Sequence, residues 1–262
     1  MRNVRRQRFA VLAGVLLFTM AFAIISFPSI PLAFSQAPAS FVFGAAGDFG
    51  ANTKTAASLN ALAGAGTNFF VALGDLSYDE ITPESAWCDF VKQRVGANYP
   101  FELLVGNHEW RSSGPDGFID TYAGCLPDRL GVSGRYAHRY YFDYPPNAPL
   151  VRFILIDPDI YRDDVMQEYC TGGDTANCDW LKARIDEAKS QGLWTVVGTH
   201  KVCITMGSLS CEIGSSLLNV LIDRKVDLVL QGHDHGYQRS KQLGLGTACT
   251  AVKANAYDAD CV

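Results

Sequence analysis

Four of the five histidines in this 262-residue chain stand in short polar segments that each follow an apolar run: His108, His200, His233 and His235. Similar segments carry Asp48 in Gly47-Asp48-Phe49-Gly50, Asp75 and Tyr78 in Gly74-Asp75-Leu76-Ser77-Tyr78, and Asn107 in Gly106-Asn107-His108-Glu109. Together they offer carboxylate, amide and phenol oxygens with imidazole nitrogens, a donor set suited to iron, zinc or manganese, with no thiolate in it. Singly, each residue is ambiguous. Gly-Asp is a common turn dipeptide, as Gly173-Asp174 shows with no strand before it, and aspartate or asparagine at such a place often caps a turn or helix. A lone histidine is more often structural. His233-Asp234-His235 says more, because two histidines two apart in a loop can turn to one side, as a metal pair requires. Glycine precedes Asp48, Asp75, Asn107 and His233, which lets the backbone turn sharply where several loops crowd an ion.

The elements that must position these residues are legible around them. Strands are expected at 41–46, 69–73, 101–105, 193–198 and 228–231, each running directly into one of the polar segments. Helical stretches are expected at 53–63, 83–95, 179–191 and 214–224, with Pro83 suited to a first turn and Trp180, Ile185 and Ala188 spaced to share a face. Residues 139–144 and 151–156 read as two strands of a hairpin. Strands alternating with helices argue for an α/β fold with parallel pairs joined by helices. In open sheets of that kind the C-terminal strand ends converge on one edge, where ligands bind. Five distant loops are therefore expected to meet at one site.

The ordered series Gly47-Asp48-Phe49-Gly50, Gly74-Asp75-Leu76-Ser77-Tyr78, Gly106-Asn107-His108-Glu109, Val197-Gly198-Thr199-His200 and Gly232-His233-Asp234-His235 resembles the five motifs of the purple acid phosphatases. Tyr140-Tyr141-Phe142-Asp143 and Asp179-Trp180-Leu181 are similar too. Tyr78 weighs most, because the wider calcineurin-like metallophosphoesterases lack a tyrosine ligand at that position. The resemblance implies a four-layer α/β/β/α sandwich of two mixed sheets. It implies Fe(III) held by Asp48, Asp75, Tyr78 and His235, and a divalent ion (Fe, Zn or Mn) held by Asp75, Asn107, His200 and His233, with Asp75 bridging. Fe(III) favours a phenolate, so Tyr78 would ionise far below its ordinary pKa near 10. Two ions about 3.5–4 Å apart clamp a phosphoryl group and acidify a water, whose hydroxide attacks phosphorus in line.

His108 is not needed as a ligand in that scheme. It is expected to hydrogen-bond phosphate or protonate the leaving alcohol, with Glu109 either orienting its ring or standing as a solvated loop acid. Two features depart from the pattern. The loop after the fourth motif, Lys201-Val202-Cys203-Ile204-Thr205-Met206, lacks the further histidines that family members place near substrate. Lys201 is read there either as a replacement positive charge or as a surface lysine. Only 27 residues follow His235, where the family adds strands to the second sheet, so the catalytic domain is read as C-terminally shortened or a fragment. His138, outside the motifs, is expected in surface packing.

Residues 1–39 carry four arginines and no acid at the start, an apolar run from Phe9 to Ile25, and Ala37-Pro38-Ala39, the three parts of a secretory signal peptide. An uncleaved N-terminal anchor is the alternative, since the run is near the lower limit for a spanning helix. Residues 40–262 then form one catalytic domain outside the cytoplasm. All eight cysteines fall in it with no CxxC pair, which in an exported chain reads as disulfides. Proximity makes Cys170–Cys178, Cys203–Cys211 and Cys249–Cys261 the simplest pairs, leaving Cys88 with Cys125. Without the four leader arginines, 27 acids face 18 bases, a balance that repels nucleic acid.

The expected partner is therefore a small-molecule phosphate ester, with a membrane involved only through an uncleaved leader. The expected function is a secreted binuclear-metal phosphatase acting on monoesters. A metallophosphodiesterase or nucleotidase with two divalent ions, with Tyr78 merely lining the pocket, is the enzymatic alternative. A secreted phosphate- or metal-binding protein without turnover, or a disulfide-held surface module, is the alternative from another class.

Overall fold

The structure is a computed structural model that describes residues 40–110, 118–172, 176–253 and 256–262. The leader or anchor expected over residues 1–39 lies outside the described residues, as does Gly173-Asp174.

Strands β1 (Phe43–Ala46), β2 (Phe69–Ala72) and β3 (Phe101–Leu103) form a three-stranded sheet, parallel throughout, in the order β1-β2-β3. Helix α1 (Thr53–Gly64) joins the first pair and α2 (Ser85–Val95) the second. Asn52 starts α1 by accepting from the Lys54 and Thr55 amides, two of the donors that a helix start leaves without partners. The short helix α3 (Ile119–Cys125) follows, anchored by buried Ile119 and Tyr122.

The second sheet combines β4 (Ser133–Arg135), β5 (Arg139–Tyr144), β6 (Val151–Ile156), β9 (Trp194–Thr199) and β10 (Leu228–Gln231) in the order β10-β9-β6-β5-β4. It is mixed: β6, β9 and β10 run parallel, while β5 pairs antiparallel with both β6 and β4. Strands β7 (Tyr161–Arg162) and β8 (Val165–Met166) make a small hairpin beyond β6. Helix α4 (Ala176–Ser190) leads into β9 and α5 (Ser215–Asp223) into β10.

The period-two alternation of strand side chains builds the layers. Phe70 and Ala72 of β2, with Phe101 and Leu103 of β3, pack against α1 and α2, where Leu59, Leu62, Trp87 and Val91 complete one core. Phe69 and Val71 point the other way and meet Phe142, Phe153, Leu155 and Val196 between the two sheets. Ile154, Ile156 and Val197 face away from that middle layer toward Leu181 and Ile185 of α4 and Leu217, Leu218 and Leu221 of α5. Helices, sheet, sheet and helices thus stack in the expected α/β/β/α order. The disulfides are Cys88–Cys125, Cys170–Cys178, Cys203–Cys211 and Cys249–Cys261. Residues described after His235 contain one 3-10 turn, Ala259–Cys261, and no strand. Among the described residues no helix is long and apolar enough to cross a membrane.

Candidate metal centre

Every strand that carries a motif ends at the same edge of the molecule. Past β1 and β2 the main chains stay paired, with the Asp48 amide donating to Gly74 at 3.0 Å and the Phe49 amide to Asp75 at 2.8 Å. Asp48, Asp75, Tyr78 and His233 hold left-handed φ values of 61°, 51°, 52° and 68°. Gly74, at φ 88°, has no alternative: a Cβ there would stand 2.7 Å from the Gly106 backbone and from His200 Nδ1.

One group gathers around the phenol of Tyr78. Its hydroxyl lies 3.0 Å from Asp48 Oδ1, 3.1 Å from Asp75 Oδ2 and 3.1 Å from His235 Nε2. Burial pushes the phenol well above its ordinary pKa, and the Asp75 and Asp48 carboxylates add to the rise. Without a cation the phenol therefore stays protonated and donates to the carboxylates. A strongly charged ion at the same point would reverse that balance.

A second group gathers around His200, which is fully buried. The ring Nδ1 donates to the Leu73 carbonyl at 2.7 Å, which turns Nε2 toward Asn107 Oδ1 at 3.0 Å and Asp75 Oδ1 at 3.3 Å. A backbone acceptor on one imidazole nitrogen is the usual way a ligand histidine is oriented. Burial alone would lower the His200 pKa, but the hydrogen bond and charge of Asp75 outweigh it and raise it. Burial likewise opposes ionisation of Asp75, and the His200 hydrogen bond and charge hold its pKa low. Ligand atoms of Asp48, Asp75, His200 and His233 lie within 4.8 Å of one another. The two oxygens of Asp75 address different groups, Oδ2 the tyrosine and Oδ1 the histidine, as a bridging carboxylate requires. The carboxylate and imidazole donors of Asp48, Asp75, His200 and His233 suit a metal ion such as iron, zinc or manganese.

His108 lies at the rim, with its side chain 33% exposed. Its amide donates to Asp75 Oδ1 at 3.1 Å, and its ring packs against Tyr78 with centroids 4.6 Å apart. Glu109 is completely buried, not a solvated loop acid. One oxygen accepts from the Asp75 and Gly106 amides at 3.0 Å, the other from the Leu76 amide at 2.5 Å. The carboxylate is thus engaged as a clamp between the loops after β2 and β3. Burial, with Asp75 nearby, pushes its pKa up to about 8.

Two residues lie elsewhere than expected from the surface reading. His138 is 3% exposed, with Nδ1 3.4 Å from Asp157, because the turn at Ala137 tucks the ring against the end of β6. Lys201 is 9% exposed, with Nζ 3.1 Å from His233 Nε2. Sequence reasoning missed Glu212, whose Oε2 stands 3.0 Å from the same imidazole nitrogen. Its one signal was its place beside Cys211, which pairs back to Cys203 near the fourth motif.

Residues 42–237 match the family described as calcineurin-like phosphoesterase. Two proteins of Mycobacterium tuberculosis, one in each of two strains and both named only as uncharacterized, are 31% identical over 193 residues. The alignment takes in 66% of this chain and 35% of each relative, so the chain matches about a third of their length.

Proposed function

The chain belongs to the calcineurin-like phosphoesterase family, and from that membership we propose that it hydrolyses phosphate monoesters outside the cytoplasm with an Fe(III)–divalent ion pair, as a purple acid phosphatase does. The observation that carries this reading is the approach of the Tyr78 hydroxyl to within 3.0–3.1 Å of Asp48, Asp75 and His235. A family member relying on two divalent ions would have no need of a phenol among its ligands.

When bound, the ions supply Lewis acidity toward a phosphoryl oxygen and an acidified water for in-line displacement. The residues divide the remaining work. Asp48, Asp75, Tyr78 and His235 would hold the first ion, and Asp75, Asn107, His200 and His233 the second. Glu109 keeps the two loops that carry Asp75 and Asn107 in register through three main-chain amides. His108, at the rim beside Tyr78, is placed to hydrogen-bond the ester phosphate or give a proton to the departing alkoxide. The leader-like start and the four disulfides support a site of action in an oxidising compartment.

The test is the visible absorption spectrum of the purified, oxidised protein. A broad band in the visible, lost in Tyr78→Phe, is expected from an Fe(III)–phenolate pair. A colourless protein that holds two metals and cleaves phosphodiesters would replace this reading with a metallophosphodiesterase.

A further inference from the structure

The loop between β9 and α5 turns back on itself beside the candidate centre. Lys201 opens it, the Cys203–Cys211 disulfide closes it, and Glu212 follows directly. The Glu212 amide donates to the Val202 carbonyl at 2.9 Å, which returns residue 212 to the strand end that carries His200. Its carboxylate then reaches the ligand set. Oε2 stands 3.0 Å from His233 Nε2, and Oε1 stands 3.3 Å from Lys201 Nζ. That Oε2 is buried and makes no hydrogen bond among the described residues. On the other side, the His233 amide donates to Asp48 Oδ2 at 2.9 Å, so the histidine backbone is fixed independently of its ring.

A carboxylate that accepts the free ring N–H of a ligand imidazole fixes its orientation and tautomer at metal sites, and Glu212 Oε2 stands at the distance such a bond needs. We propose that Glu212, presented by the disulfide-closed loop, is the positioning residue for His233 at the second ion, with Lys201 balancing its charge. Lys201 Nζ lies 3.1 Å from the same Nε2 and can only donate, so a proton carried on Nε2 has Glu212 Oε2 as its acceptor, Lys201 pairs with Oε1, and Nδ1 is the ring nitrogen left for an ion. Glu212 acts through His233 and takes no part in the chemistry itself. The disulfide shortens the excursion of the loop, so the carboxylate is delivered by a covalent closure rather than by packing alone. The proposal rests on the reading of His233 as a ligand of one of two ions.

The experiment is metal retention by the full chain, loaded with iron and zinc and dialysed against graded chelator, with both metals counted. Wild type is expected to hold two ions. Glu212→Gln should release the second ion at 10–100-fold lower chelator strength, with the first retained and the melting of the metal-free chain little changed. Glu212→Asp, which keeps the charge on a shorter arm, should fall between them. The double variant Cys203→Ser/Cys211→Ser should weaken the same ion by freeing the loop. Chelator curves of Glu212→Gln identical to wild type would overturn the proposal. So would equal weakening of both ions together with lower melting of the metal-free chain, which would make the pair a structural salt bridge. A wild-type chain holding fewer than two ions would overturn the two-ion reading itself, and the role of Glu212 with it.

Discussion

Tyr78 and His235 stand 157 positions apart in the chain and 3.1 Å apart in space, phenol oxygen to Nε2. His235 also lies 3.5 Å from Asp48 Oδ1, so it closes the first group from the opposite sheet. His235→Ala is expected to weaken the first ion selectively, since His200, Asn107 and His233 do not depend on it. Metal analysis after dialysis should show iron lost before zinc. Simultaneous loss of both would mean that the two groups are not separable sites.

Glu109 and His108 are neighbours with opposite expected signatures. Glu109→Ala leaves the Asp75, Leu76 and Gly106 amides without their buried acceptor. At about 1–3 kcal/mol for each orphaned donor, the cost should be at least roughly 3 kcal/mol of stability. Thermal melting should drop by many degrees, and metal content should fall with it.

His108→Asn should do the reverse. The ring lies at the rim and packs on Tyr78, so melting and metal content are expected to hold. The turnover number for an aryl phosphate should fall by about 10²–10⁴, the range for losing a general acid. An unchanged turnover number would remove His108 from the chemistry.

Glu102, on β3 and outside the motif loops, gives stability a pH dependence of its own. It is fully buried on β3, accepts from the Arg129 amide at 3.1 Å, and its other oxygen has no hydrogen bond among the described residues. Burial pushes its pKa from 4.5 up to about 8. The folded state thus prefers the neutral acid. Its contribution is fully present below pH 4.5 and is lost as pH rises through about 8. Each unit of such a shift is worth about 1.4 kcal/mol at most, less where water relaxes around the group. Glu102→Gln, neutral at every pH, should flatten the fall in melting temperature of the metal-free chain between pH 5 and 8. A slope equal to wild type would mean that the carboxylate is solvated.

The strands that run into the motif loops were the most legible part of the sequence, because apolar runs of four to six residues stop at Gly followed by a polar side chain. Helix α3 was not, since its seven residues sit in a stretch broken by Gly and Pro and show too little periodicity to read. Strand β4, Ser133-Gly134-Arg135, is exposed and has no apolar residue; it exists because β5 offers it an edge. Glu109 reads like a solvated acid or a partner for its neighbour His108, because its real partners are main-chain amides, two of them more than 30 positions away. Glu212, Lys201 and His138 were hidden for a related reason. Nothing in a residue's own neighbourhood announces which distant side chain it will meet.

The left-handed backbone at Asp48, Asp75, Tyr78 and His233 has a consequence for how ions come and go. Each such residue holds a conformation that costs about 1–3 kcal/mol, and Glu109, accepting from the Asp75 and Leu76 amides, is one of the contacts that hold the chain in it. A site held by such protein contacts should keep its shape when emptied, unlike small zinc domains whose chain folds only around the metal. Chelation and reloading should then be repeatable cycles without a refolding lag, and different ions should enter the same unaltered frame.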